Sequence, residues 1–330
     1  MSRRRAPAWQ LEALTWLSAG ILVAGVVAVF SVRPAAPAQA ATPVTPVVHQ
    51  TERVTTVRVP VKKTVKAPAT SGRPKFVLSV PTDPGLGPPP GPQADQAPSQ
   101  TAAPENRFAV LVGITHYRAP THETIGGAAD VRFIASALEQ AGWLAGNIRV
   151  LADDAATGSA VRQAMAWLAA KSHPGTFSLF HYSGHVQQGG GREYLWPVDH
   201  DLIGNDETVA ALHRVAGHVW VDIAGCESGG FMGDLPSANV LVTTSSRVTQ
   251  KSYEYPDWGM SVWTGLLFDL GMTQGGADAN NDGTVTIGEA IRYASYYAHR
   301  LTVYQTPYGP QIPESAGDPV LGWTLADPPA

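Results

Sequence analysis

Past residue 104 the chain alternates short, nearly unbroken apolar runs with longer stretches in which apolar residues recur every three or four positions. The short runs, at residues 108–114, 148–151, 176–182, 219–223 and 239–243, are rich in β-branched and aromatic side chains, as strands buried on both faces are. Between them, Val131, Ile134, Ala135 and Leu138 share one side of a helix predicted over 128–142 and stopped by Gly142. Val161, Met165 and Leu168 do the same for a helix that a Thr157 N-cap opens and that runs to Ala170. Two more helical patterns span 260–271 and 287–300. Strands alternating with helices predict an α/β domain: a mostly parallel central sheet with helices on both faces, a three-layer sandwich.

Ahead of residue 105 the pattern is different. Residues 13–32 form an apolar run of about 20 residues, which as a helix of ~30 Å matches a bilayer core. Arg3, Arg4 and Arg5 precede it, so the positive-inside rule sets a cytoplasmic tip within residues 1–33 and predicts a single-pass cell-membrane protein with the rest extracytoplasmic. Ala38-Gln39-Ala40 has the small-x-small form of a signal cleavage site, which would make the product secreted instead. Residues 34–104 hold more than half of the 27 prolines and read as a disordered linker, leaving 105–330 as the folded domain.

Charge sharpens this division: residues 1–104 carry a net +7 and the remainder −11. An acidic domain argues against nucleic acid as a partner. No Gly-rich phosphate loop and no Cys/His zinc spacing occurs, so neither a nucleotide nor a redox cofactor is expected. The single cysteine, Cys226, has no disulfide partner within the chain and leaves a free thiol.

The predicted strands place chemistry at their carboxyl ends. The third runs into Ser183-Gly184-His185 and the fourth into Gly225-Cys226-Glu227-Ser228-Gly229-Gly230, and open α/β sheets form their functional crevice at those ends. A thiol is a nucleophile only as thiolate, and an adjacent imidazole both draws off its proton and returns one to the leaving amine. Glycines beside both residues permit tight turns and close approach of backbone N–H groups to an oxyanion.

Phe180-His181-Tyr182-Ser183-Gly184-His185, followed about 40 residues later by Cys226-Glu227-Ser228-Gly229-Gly230, resembles the caspase and metacaspase peptidases, bacterial members in particular. The resemblance extends over roughly 107–324 through Ala109-Val110-Leu111-Val112-Gly113-Ile114, Gly127-Ala128-Ala129-Asp130, Tyr194-Leu195-Trp196-Pro197-Val198-Asp199 and Gln305-Thr306-Pro307. It implies a caspase-like fold and a cysteine endopeptidase of protein or peptide substrates. Cys226 is then nucleophile, His185 general base, and the backbone N–H groups of Gly184 and Cys226 oxyanion donors. Asp130 and Ser183 fall at positions of a pocket that selects Arg or Lys at P1; His181 is expected to be a core or surface histidine. Three departures stand out: Ala224 replaces an Asp two residues before the cysteine, Glu227 puts a negative charge beside the thiol, and Val186 replaces the glycine after the histidine. An inactive caspase-like binding module with a structural calcium site is the competing reading.

Residues 278–289 carry oxygen ligands at the EF-hand positions, Asp278, Asn280, Asp282, Thr284 and Glu289, with Gly283 at the sharp turn. This predicts a calcium site between two helices; the alternative is a tight turn whose side chains cap the next helix without metal. The resemblance also implies calcium near Asp199, Asp201 and Asp234. Oligomeric state is not readable from the chain.

Overall fold

The computed structural model describes residues 101–304, 308–318 and 320–326. Strands and helices follow the alternation expected: β1 (Arg107–Gly113), α1 (Gly127–Gln140), β2 (Ile148–Ala152), α2 (Gly158–Lys171) and β3 (Phe177–Ser183). A small sheet comes next, β4 (Val186–Gly189), β5 (Arg192–Leu195) and β6 (Ile203–Gly204), then α3 (Asn205–Leu212), β7 (His218–Ala224) and β8 (Val240–Thr244). The hairpin β9 (Glu254–Tyr255) and β10 (Met260–Ser261) leads into α4 (Val262–Thr264), and α5 (Ile287–Thr302) and β11 (Glu314–Gly317) complete the fold.

The main sheet runs β11-β8-β7-β3-β1-β2, all parallel except β11. The chain first builds outward from β1 to β2 and then returns to the other side with β3, so the switch point lies between β1 and β3. β1, β3 and β8 are buried at every position, which is why they read as unbroken apolar runs. One face packs Val131, Ile134 and Leu138 of α1 with Trp263, Ile287 and Ala294. The other packs Val161, Met165 and Leu168 of α2 with Leu212 of α3. The three-layer α/β sandwich expected from the sequence is thus observed.

Helix ends follow the sequence closely where a side chain sets them. The Thr157 hydroxyl accepts the Ala160 N–H, a cap that stabilises such a helix by about 1 kcal/mol. The pattern expected as one helix over 260–271 is instead divided. Met260 and Ser261 pair with β9, Ser261 caps α4 by accepting the Thr264 N–H, and the chain then widens into π-helical turns over Gly265–Thr273. Hairpin pairing competes with the first helical turn, and an apolar count does not register that.

The folded domain also takes in residues just before 105: Ala102 is buried in the core and its carbonyl accepts from the buried Arg107 Nε at 2.6 Å. The predicted membrane segment at 13–32 and almost all of the predicted linker lie outside the described residues. Among the described residues no helix is long and apolar enough to cross a membrane.

Candidate active site

β3 and β7 are in-register parallel neighbours, Ser183 opposite Ala224. Each strand runs on for two residues past that pair to reach the chemistry, His185 on one side and Cys226 on the other. The two turns interlock. Gly184 N–H donates to the Ala224 carbonyl at 3.1 Å, and a Cβ on Gly225 would stand 2.8 Å from the Gly184 carbonyl oxygen and 2.8 Å from Val186 Cγ2. Only glycine at 225 lets the backbones approach this far.

His185 is held by its backbone and its ring. Its N–H donates to the Tyr117 hydroxyl at 2.7 Å, its carbonyl accepts from the Tyr182 hydroxyl at 2.6 Å, and its ring lies against those of Tyr117 and Trp196. Nε2 stands 2.8 Å from the His122 carbonyl. A carbonyl can only accept, so Nε2 carries the proton and the neutral ring keeps its lone pair on Nδ1.

Cys226 is partly buried, and its thiol points at the Ser252 carbonyl, Sγ to O 3.7 Å. Burial pushes the thiol above its ordinary range; the Ser252 contact and Lys251 pull it down, while Glu227 and Glu254 push it further up. Glu227 opposes the thiolate, as expected, while its carboxylate also meets Lys251 Nζ at 2.6 Å; it occupies the left-handed region at φ 60° with its N–H on the Gln250 carbonyl.

The oxyanion expectation needs one correction. The Gly184 N–H is committed to Ala224, as described above, and is not available as a donor. Trp196 N–H bonds the His185 carbonyl, so alternation along the β4–β5 ladder turns the next N–H, that of Val186, away from β5.

Asp130, at the first turn of α1, is fully buried. One oxygen accepts the Ser183 hydroxyl at 2.6 Å and the other the Ser261 N–H at 3.1 Å. Among the described residues no cation pairs with it. Sequence reasoning missed a second carboxylate here, Glu254, which accepts N–H groups of Ile125 and Gly126 at 2.6–2.8 Å ahead of α1. Burial raises Glu254 above the usual carboxylate range; its backbone donors oppose this, Asp130 adds to it and His185 lowers it. No local signal marks Glu254, because its partners lie 128 and 129 residues away along the chain.

His181 is a core residue, as expected. It is fully buried, with Nδ1 2.8 Å from Asp222 Oδ2, while Asp222 Oδ1 accepts from Trp263 Nε1 and the Thr243 hydroxyl.

In the 278–289 loop the carboxylates serve the backbone. Asp278 accepts the N–H groups of Asp282 and Gly283, Asn280 accepts that of Asp282, and Asp282 accepts that of Thr284. Glu289 closes a capping box with Thr286 and also accepts the Ala279 N–H. The described residues contain no group of three or more His, Cys, Asp or Glu side chains placed to hold a metal. Near α2, Asp201 is spent on Arg162, and Asp199 accepts the Gly158 N–H.

The parallel sheet thus brings Cys226 and His185 to the ends of adjacent strands. The caspase-domain family model matches residues 106–294, and the chain belongs to that family of cysteine peptidases, whose substrates are proteins and peptides. Metacaspase-1 of Mycosarcoma maydis is 32% identical over 165 residues, which cover 44% of this chain and 40% of that protein; the chain thus spans less than half of its relative's length. A crystal structure of a Geobacter sulfurreducens protein matches at 16% identity and TM-score 0.49, over 68% of this chain and 98% of that one.

Proposed function

We propose that the domain is a cysteine endopeptidase that cleaves after basic residues, with Cys226 as nucleophile and His185 as base. The observation that carries this is the His185 Nε2 contact with the His122 carbonyl, which leaves Nδ1 as the basic nitrogen, on the turn next to the one that carries Cys226. Nδ1 takes the Sγ proton and the thiolate attacks the scissile carbonyl, with the oxyanion facing the Cys226 and Val186 N–H groups. Imidazolium then protonates the departing amine as the C–N bond breaks, and water releases the acid from the thioester.

A peptide substrate fits the surroundings. The Tyr253 N–H and carbonyl are occupied by Gln311 and Val262, whereas the Ser252 carbonyl faces the thiol. That carbonyl would accept a substrate N–H next to the scissile bond. A basic P1 side chain is supported by the buried Asp130, which no cation pairs with among the described residues, together with Ser183 and with Glu254 close by, since a buried carboxylate is costly until a cation pairs with it. Asp130 and Glu254 together offset the loss of a carboxylate at Ala224.

The test is hydrolysis of fluorogenic peptides bearing Arg, Lys, Asp or Ala at P1. Turnover of the Arg and Lys peptides that Cys226→Ala abolishes is expected. Folded protein without Cys-dependent turnover of any peptide would leave the binding-module reading in its place.

Two further roles belong to this proposal. Calcium would sit on Asp278, Asn280, Asp282, Thr284 and Glu289, a set of hard oxygen donors suited to it; a rise in Tm at millimolar calcium, lost in Asp282→Ala, is the expected result, and an unchanged Tm counts against it. The apolar run at 13–32 would anchor the domain outside the cell membrane. Release of the domain by externally added protease from intact cells is expected, and full protection would refute that placement.

A further inference from the structure

The contact that fixes the His185 ring comes from a loop, residues 114–126, so whatever holds that loop sets the base. Its two ends are tied down. Thr115 and His116 donate their N–H groups to Asp153 at 2.8 and 3.0 Å, the Thr124 hydroxyl bonds the Ile114 carbonyl, and Glu254 takes the N–H groups of Ile125 and Gly126. Between these ends the tip carries the exposed residues Arg118, Ala119, Pro120 and His122. Tyr117 reaches inward from one side of the tip, and a side chain from outside the loop, His200, reaches it from the other.

His200 Nε2 lies 3.1 Å from the Arg118 carbonyl and 3.2 Å from the Thr121 hydroxyl. Facing a carbonyl, Nε2 must be the protonated nitrogen. Residue 121 is the immediate neighbour of His122, whose carbonyl receives His185. The His200 ring also packs edge-on against Trp196, and the other neighbour of Trp196 is the His185 ring.

His200 is itself set in a rigid turn. It occupies the left-handed region at φ 65°, its N–H returns to the Pro197 carbonyl, and its carbonyl accepts the Leu202 N–H. On either side α2 grips the turn. Asp199 accepts the Gly158 N–H at 2.9 Å, and Arg162 holds the Asp201 carboxylate and the Leu202 carbonyl. A Cβ on Gly158 would stand 2.5 Å from the Asp201 carbonyl oxygen, so helix and turn are in direct backbone contact.

We propose that His200 is a positioning residue for catalysis: by pinning the 118–121 tip to the turn clamped on α2, it holds the His122 carbonyl where it orients the His185 ring. The proposal rests on the peptidase reading and extends it. His200 does not touch the reacting atoms. When His185 takes up the thiol proton, the His122 carbonyl stabilises the imidazolium through a charge-assisted bond, and a loose tip weakens that bond.

The experiment compares wild type, His200→Ala and His200→Gln, the last of which keeps an N–H donor near the Nε2 position. It measures kcat and KM on an Arg peptide, the pH dependence of iodoacetamide alkylation of Cys226, and Tm. For His200→Ala we expect kcat to fall about 10- to 100-fold, a part of the roughly 10²- to 10⁴-fold that a positioned base contributes, with KM changed less than about threefold. Its alkylation profile shifts to higher pH as the thiolate–imidazolium pair loses support, and His200→Gln recovers most of both. An unchanged kcat and profile in His200→Ala overturns the proposal, as does a Gln variant no better than Ala. If His185→Ala leaves the alkylation profile of Cys226 unchanged, the peptidase reading itself fails and takes this proposal with it.

Discussion

Two histidines four residues apart on one strand and its turn show what separates a structural group from a chemical one. His181 is sealed in the interior, its Nδ1 on Asp222, which also receives Trp263 and Thr243. That network joins β3, β7, β8 and α4 across the sheet. His185 lies beyond the strand end, partly exposed, with one nitrogen occupied by a carbonyl and the other left over. A buried imidazole tied to a carboxylate holds elements together. A half-exposed imidazole with a fixed tautomer and a free lone pair can move a proton.

Exchanging the two roles by mutation breaks the comparison most sharply. His185→Ala is expected to lower kcat by about 10³-fold with stability within about 0.5 kcal/mol of wild type. His181→Ala should instead cost about 3 kcal/mol in urea unfolding, because it leaves the Asp222 carboxylate buried without its imidazole. The reverse assignment of activity and stability losses would refute this account.

The acidic pair beside the dyad comes next in size. Asp130→Asn should lower kcat/KM for an Arg peptide by about 100-fold, roughly the 3 kcal/mol expected for removing one partner of a buried charge pair. Glu254→Gln should cost less, about tenfold, as Glu254 is shared with backbone donors. Its raised pKa gives it a signature. The carboxylate loses its charge earlier than an ordinary glutamate as pH falls, so KM for Arg peptides rises on the acid side, and that limb disappears in Glu254→Gln. A KM limb unaffected by the substitution would exclude Glu254 from the P1 pocket.

The smallest effect belongs to the far loop. Thr286→Ala removes the capping box of α5 and should destabilise the protein by about 1 kcal/mol while leaving kcat unchanged, since the partner of its cap is Glu289 of the same helix. A matching loss of activity would tie the loop to catalysis.

Much of this architecture was legible in the chain because strands buried on both faces have little freedom in composition, and because Thr157 and Gly142 mark helix ends by their own chemistry. The placing of Cys226 and His185 side by side was legible because both residues follow such strands directly. What escaped detection is short or non-local. β4, β5 and β6 are mixed in polarity and at most four residues long, too brief for periodicity to register. Glu254 reaches the site only through the fold, and the orienting group at His122 is a backbone carbonyl that any residue could supply. The Gly184 N–H was misassigned for a related reason: its commitment to Ala224 depends on the pairing of two strands that are distant in sequence.

Active-site labelling tests the central claim most directly. Protein treated at neutral pH with an irreversible peptidyl ketone carrying Arg at P1, and separately with its Asp counterpart, is analysed by mass spectrometry for adducts on Cys226. The account predicts rapid labelling by the Arg reagent alone, abolished by His185→Ala and stripped of its P1 preference by Asp130→Asn. No adduct on folded protein, or equal labelling by both reagents, would contradict it.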